Sequence, residues 1–305
     1  IIFPFDSLIS FGNKDIFVDY SLQGKPLIRA ENSFVNPIDM AFFRSTVGYT
    51  DTEFDFLRYD NHNQKLNYGN YIIVDSREKA FELAKKAYEF GIDAIIVQDL
   101  GLASLLIKNF PDLDIHASTQ MSVHNLEGVK KLESLGFKRV VLSRELPISE
   151  IEYICKNTKV EIECFVHGAL CISYSGQCLF SSSVGGRSGN RGSCAQPCRL
   201  PYTLLENQEK EISSGYLLSP RDLCGLEYLP QLIKAGVTSF KIEGRMKKPE
   251  YVATVTRIYR KYIDNILNNN YFEIDSKDKK DLLQVFNRGG SSLGHLSSSE
   301  NRNLI

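Results

Sequence analysis

From residue 70 onward the chain alternates amphipathic stretches with short apolar runs, and a glycine marks most of the changes from one to the other. The spacing of Phe81, Ala84 and Tyr88 predicts a helix over residues 76–90, with Ser76 as its N-cap and Gly91 as its terminator. A strand is predicted over Asp93-Ala-Ile-Ile-Val97. The same unit returns as Leu126 to Leu135, Gly136 and Arg139-Val-Val-Leu142, and again as Leu226 to Ala235, Gly236 and Thr238-Ser-Phe-Lys-Ile242. Strand centres near residues 72, 94, 115, 140 and 161 recur at the spacing of a β/α repeat, and right-handed crossovers would lay such strands in parallel.

Alternation along three of these strands gathers polar side chains on one face. His116, Ser118 and Gln120 share a face, as do Glu161, Glu163 and His167, and Lys241, Glu243 and Arg245. Parallel strands covered on both sides normally read as continuous apolar runs, so polar stripes need a cause. The mouth of a barrel at the C-terminal ends of its strands supplies one. The expectation is therefore an α/β fold, a TIM-like β/α barrel with Asp99, Arg144, Glu145, His167 and Arg245 converging on one rim. Residues 1–70 lack the repeat and form an atypical segment, so the barrel is expected to be incomplete or altered there. Residues 71–294 form the barrel domain with a cysteine-rich loop at 168–200, and a C-terminal region begins at 295. A start at Ile1 without methionine and an end at Ile305 read as a piece of a longer chain.

The loop changes the picture. Cys171, Cys178, Cys194 and Cys198 follow the spacing Cys-x6-Cys-x15-Cys-x3-Cys, and no Asp, Glu or Lys occurs from Cys164 through Leu205. Arg187, Arg191 and Arg199 supply positive charge nearby, which favours thiolates and hence metal ligation. Disulfides fit poorly, because the total of seven cysteines is odd and the N-terminus lacks a basic segment followed by an apolar one. Tetrahedral zinc usually takes two short Cys-x2-4-Cys knuckles, and only Cys194 and Cys198 resemble one. An iron-sulfur cluster accepts more irregular spacing. Spacing alone leaves zinc and cluster nearly even. Cys155 and Cys164 fall on apolar faces and read as inert buried thiols, whereas Cys224 is an alternative fourth ligand.

Net charge of -1 and a pI near 6.6 exclude global attraction to nucleic acid, so an RNA contact would need a local basic patch such as Arg187 to Arg199. No run of 18 apolar residues is present, and a cytoplasmic, membrane-free protein is expected. His62 and His295 read as structural. Lys247, Lys248, Arg257, Arg260 and Lys261 read as the solvated face of a helix. Lys241, Glu243 and Arg245 read either as an ion-pair ladder or as a site where Arg245 and Lys241 fork a carboxylate. No His-Glu-x-x-His motif occurs, and four clustered cysteines exceed what one thiol nucleophile such as Cys171 beside His167 would need.

Three segments carry a resemblance: residues 163–178, the run Gly185-Gly-Arg-Ser-Gly-Asn-Arg-Gly-Ser-Cys-Ala-Gln-Pro-Cys-Arg199, and Phe240-Lys-Ile-Glu-Gly-Arg245. They are similar to the PrtC/YegQ family of collagenase-like peptidases. That family includes proteins needed for prephenate-dependent 5-hydroxylation of tRNA uridine, and peptidase is its older label. The resemblance implies a [4Fe-4S] cluster on Cys171, Cys178, Cys194 and Cys198. Arg144 is read with the cofactor, Arg187, Arg191 and Arg199 are read as facing the cofactor's surroundings, RNA phosphate or only solvent, and His167, Glu243, Lys241 and Arg245 are expected to orient the substrate. The implied partners are tRNA and a small carboxylate such as prephenate, with a paralogous subunit left open. Zinc is the alternative metal, and a metal- or thiol-dependent collagenase-like peptidase is the alternative function.

Overall fold

The computed structural model describes residues 77–297 apart from 208–209, 245–246 and 270, together with residue 304 and short strands at 2–4, 27–29, 32–34 and 72–74. The expected N-cap Ser76 lies outside the described residues. The chain divides into two compact units, one comprising residues 1–121, 134–139 and 181–195 and the other 122–133, 140–180 and 196–305.

In the first unit, strand β1 (Ile2–Pro4) lies between β4 (Ile72–Val74) and β5 (Ala94–Val97), and β6 (Asp114–Ala117) follows β5, all in parallel. Strands β2 (Leu27–Arg29) and β3 (Asn32–Phe34) form an antiparallel pair. Helix α1 (Arg77–Glu89) ends as expected at Gly91, whose φ of +77° suits a residue without a side chain. Its buried stripe is Ala80 and Ala84, and Phe81 and Tyr88 stack on Phe110 with ring centroids 5.4 and 4.9 Å away. Helix α2 (Leu100–Asn109) starts at Asp99, whose carboxylate accepts from the Leu102 amide at 2.6 Å. Asp99 is therefore a helix cap. β1 was not legible because it does not follow the helix and glycine that mark β5.

The second unit contains α3 (Leu126–Ser134), β7 (Arg139–Val141), α4 (Ile148–Lys156) and β8 (Glu161–Gly168). An antiparallel hairpin, β9 (Tyr202–Glu206) with β10 (Lys210–Gly215), precedes β11 (Asp222–Cys224). Helix α5 (Leu229–Ala235), β12 (Ser239–Ile242), α6 (Pro249–Asn269), α7 (Ser276–Val285) and β13 (Ser291–Ser292) complete it. β12 runs parallel to β8, pairing Ser239 with Glu163 and Lys241 with Phe165. Beyond a register shift at Ile242, β11 takes over antiparallel to β8, pairing Cys224 with His167, and β13 runs parallel to β11. The fold is thus α/β with mostly parallel strands. Within each unit the described strands form no closed ring.

Every residue of β8 from Ile162 through Gly168 is buried, including Glu163 and His167. The polar stripe of this strand is internal, and only Glu161 faces solvent. Gly168 has a φ of +107°, and a Cβ there would fall 2.5 Å from the Glu243 carbonyl oxygen and 2.8 Å from the Glu243 Cβ. The chain leaving β12 crosses directly over it. Gly168→Ala is expected to destabilise the protein by about 1–3 kcal/mol or more in urea titration; an unchanged midpoint would show that β12 is free to move aside.

Candidate functional site

Two cavities flank this crossing in the second unit. One, of about 250 Å³, is lined by Arg144, Glu145, Leu170, Cys171, Tyr174, Pro220 and others. The other, of about 330 Å³, is lined by His167, Asp222, Cys224, Leu226, Leu282, Phe286 and Ser292 among others. The expected rim is therefore divided: Arg144, Glu145 and Cys171 share the first cavity, and His167 lines the second.

The loop from Cys171 to Cys178 is held through Ser175. Its amide and hydroxyl donate to Glu145 Oε1 at 2.9 and 3.0 Å, its Oγ accepts from the Arg144 amide at 3.2 Å, and its carbonyl accepts from Ser122 Oγ at 2.7 Å. Arg199 ties the far end of the loop down, donating to Ser219 Oγ at 2.9 Å, to the Pro220 carbonyl, and to the Leu170 carbonyl at 2.5 Å. These bonds bring Cys171, Cys178 and Cys198 within mutual electrostatic range. Cys171 has an exposed outer edge, yet the protein packed around it and the neighbouring Cys178 and Cys198 push its thiol pKa up, against a smaller downward pull from Arg144. Burial is the main cause, the neighbouring thiols add to it, and the Ser173 backbone and Arg144 oppose it. Such crowding is a property that a bound cation would relieve.

Cys194 belongs to the first unit, where its exposed side chain lies over Gly189. There Arg187 Nε donates to the Ser193 carbonyl at 2.9 Å and Ser181 Oγ accepts from the Ala195 amide at 2.8 Å. The Arg191 side chain lies outside the described residues, as does Arg245. Among the described residues no group of three or more His, Cys, Asp or Glu side chains is set to hold a metal ion. By chemistry the donor set suits a soft metal or cluster: thiols, no carboxylate in the loop, and arginine alongside.

Two ion pairs of the second unit involve the predicted site residues. Glu163, 7% exposed at its side chain, accepts from Lys241 Nζ at 2.6 Å and from Ser239 Oγ at 2.8 Å. Arg144 Nη2 donates to Glu243 Oε2 at 3.0 Å, and its guanidinium lies 3.9 Å over the Phe165 ring. Lys241 and Glu243 thus serve two separate pairs rather than one ladder. The Arg144 Nε is buried and finds no hydrogen-bond partner among the described residues, leaving one donor for a ligand.

His167 is 5% exposed and packs against Tyr251 and Tyr259, with Nδ1 3.2 Å from Tyr259 Oη. Burial, and then the charge of Lys247, lower its pKa to about 4. Cys224 stands directly across the strand pair, and burial pushes its thiol up. The two are a neutral thiol and a neutral imidazole. No Gly-x-Ser-x-Gly elbow was expected from the sequence, yet the segment Gly290-Ser-Ser-Leu-Gly294 has that spacing. Ser292 sits in a regular strand register with Leu223, without the left-handed backbone of a strained elbow, and Asp222 is paired with Arg288 at 2.7 Å rather than with His167. No acyl-transfer triad is assembled there.

Lys241→Met would leave the Glu163 carboxylate buried without its cation and is expected to cost about 3 kcal/mol, largely recovered in the Lys241→Met/Glu163→Gln double variant by denaturant titration. An unaltered single variant would show the pair to be solvated. His167 has a folded pKa below its unfolded value, so the unfolded chain binds the extra proton between the two. Stability is then lost as pH falls from about 6.5 through about 4. His167→Gln should flatten that slope in melting curves; an equally steep slope would place the titration elsewhere.

The profile of Peptidase family U32 matches residues 61–305. The 23S rRNA 5-hydroxycytidine C2501 synthase of Escherichia coli is 46% identical over 63% of this chain and 29% of its own length. The tRNA hydroxylation protein P1 of Bacillus subtilis is 40% identical over 57% of this chain and 43% of its own. A collagenase of Porphyromonas gingivalis is 38% identical over 71% of this chain and 53% of its own. The chain thus spans about half or less of the length of these relatives. With 245 of 305 residues inside the profile, the chain belongs to peptidase family U32.

Proposed function

We propose that this chain is part of an RNA-hydroxylating enzyme that is required for 5-hydroxylation of uridine in tRNA and uses a prephenate-derived hydroxyl source. The observation that carries the reading is the gathering of Cys171, Cys178 and Cys198 beside Arg144 and Arg199. It is supported by relatives named for tRNA hydroxylation and for rRNA 5-hydroxycytidine synthesis. In the proposal Cys171, Cys178, Cys194 and Cys198 hold a [4Fe-4S] cluster, with Cys224 or zinc as the alternatives. When bound, the cluster supplies redox or Lewis-acid chemistry. Arg144 offers its free Nε to a carboxylate of the small substrate, while Glu243 holds the guanidinium in place. Ser175 and Glu145 keep the loop rigid, and Arg199 fixes its exit. A TIM-like β/α barrel remains the proposed architecture, a cytoplasmic setting is proposed with it, and a paralogous subunit is a further proposed partner.

The peptidase alternative draws on relatives named as collagenases. It fits the site less well. A thiol nucleophile works as a thiolate activated by a neighbouring base, and at His167 and Cys224 burial moves both pKa values away from the ion pair.

Full-length protein purified without oxygen is expected to carry about four irons per chain with broad visible absorbance, and Cys171→Ser is expected to lose both. Nucleosides from a deletion strain are expected to lack the hydroxylated uridine until the wild-type gene, but not Cys171→Ser, is restored. One zinc and no iron, or an unchanged nucleoside profile in the deletion strain, would overturn the reading.

A further inference from the structure

The second cavity has a character of its own. Its 330 Å³ is within the range that takes a small organic group, and Leu223, Leu226, Leu282 and Phe286 make most of its wall apolar. The polar groups facing it are uncharged or already neutralised. Asp222 is paired with Arg288, and Glu227 with Lys279 at 2.5 Å. His167 is neutral. Tyr259 Oη donates to the Val166 carbonyl at 2.9 Å and so accepts from His167 Nδ1–H, which leaves Nε2 as an acceptor. The Cys224 thiol is hydrogen-bonded to Tyr259, so the cavity offers an acceptor at His167 between apolar walls. That is a complement to an uncharged ring with hydrogen-bonding edges.

A second, independent feature adjoins it. Lys247 lies over the Phe286 ring and makes no ion pair with a described carboxylate, and Arg288 lies over the same ring at 5.0 Å. Phe286 lines the cavity, so both cations stand at its edge. Arg199 is close enough to join them, but it also faces Cys198 and Cys171, while Asp222 is paired with Arg288 and Glu243 with Arg144. Burial, and then Arg288, lower the Lys247 pKa to about 8. Lys247 is thus the cation at this edge that has no carboxylate of its own, and an anion would complete it.

An uncharged hydrogen-bonding ring joined to an anion describes a nucleotide. We propose that the cavity lined by His167, Cys224 and Phe286 receives one base of an RNA single strand, turned out of its stack, while Lys247 and Arg288 hold the adjoining phosphate. This rests on the RNA-modification reading and assigns the target base to a cavity separate from the cysteine loop. His167 Nε2 would accept from a ring N–H, the leucines and Phe286 would replace the lost stacking, and unpaired target bases would be preferred because they are the least costly to extrude.

The test uses the full-length protein and a short single-stranded RNA carrying one 4-thiouridine. Photocrosslinking followed by peptide mapping is expected to place the adduct on residues of this cavity. Lys247→Gln and Arg288→Gln are each expected to weaken binding on the order of tenfold and to reduce the log–log salt slope by about 0.7. Ser291→Trp, which fills the cavity from its exposed edge, should abolish the crosslink while leaving the salt slope unchanged. Binding should weaken above pH 8 as Lys247 loses its proton. A crosslink that maps elsewhere, or that survives Ser291→Trp, would overturn the assignment while leaving the RNA reading intact. Uridine monophosphate binding as tightly as the oligonucleotide would reassign the cavity to a free nucleotide. No binding of either would overturn the RNA reading together with the assignment.

Discussion

The contact on which the second unit depends is the passage of the Glu243 backbone over Gly168. No side chain fits between them, and the Glu243 amide donates to the His167 carbonyl at 2.8 Å while its carbonyl accepts from Tyr251 Oη at 3.1 Å. At this point β8 exchanges one neighbour for another, parallel β12 below and antiparallel β11 above. The exchange sends His167 toward Tyr259 and Cys224, and sends the chain beyond Gly168 toward Leu170 and Cys171. Two cavities of different chemistry follow from one crossing.

Burial then decides what each polar group can do. Glu163 and Lys241 are inside the protein and consume each other's charge, so neither is free to orient a substrate. Arg144 is only partly consumed, because Glu243 and Phe165 occupy its end and face but not its Nε. Lys247 is less engaged still. It precedes α6 rather than lying on it, and its ammonium is turned onto Phe286 instead of solvent. Lys247 is therefore a cation that the packing leaves without a carboxylate, whereas Arg144 and Arg288 each keep an ion pair.

Much of the fold was legible in the sequence, and the reasons for the rest are local. Helices α1, α3 and α5 and the strands after them followed from apolar period and a glycine at each junction, with Gly136 and Gly236 at φ of +96° and +100°. Strands β1, β11 and β13 were not visible, because none follows the helix and glycine that marked β5, β7 and β12. The cysteine loop announced itself by spacing. Its partners did not, since Glu145 and Ser122 lie 30 and 53 residues before Ser175 and meet it only through the fold. His167 was recognisable as a polar strand residue and was expected at an open rim, whereas it is buried against Tyr251 and Tyr259. Pairing across strands with Cys224 depends on β11 being antiparallel, which no local pattern encodes.

The account's central claim is that the thiols of the loop converge on a metal cluster. Iron K-edge X-ray absorption on the full-length protein, prepared without oxygen, tests it most directly. The account predicts iron whose nearest neighbours are sulfur, with iron–iron scattering beyond them, and loss of that signal in Cys198→Ser. Iron bound by oxygen and nitrogen alone, or sulfur-bound zinc in its place, would contradict it.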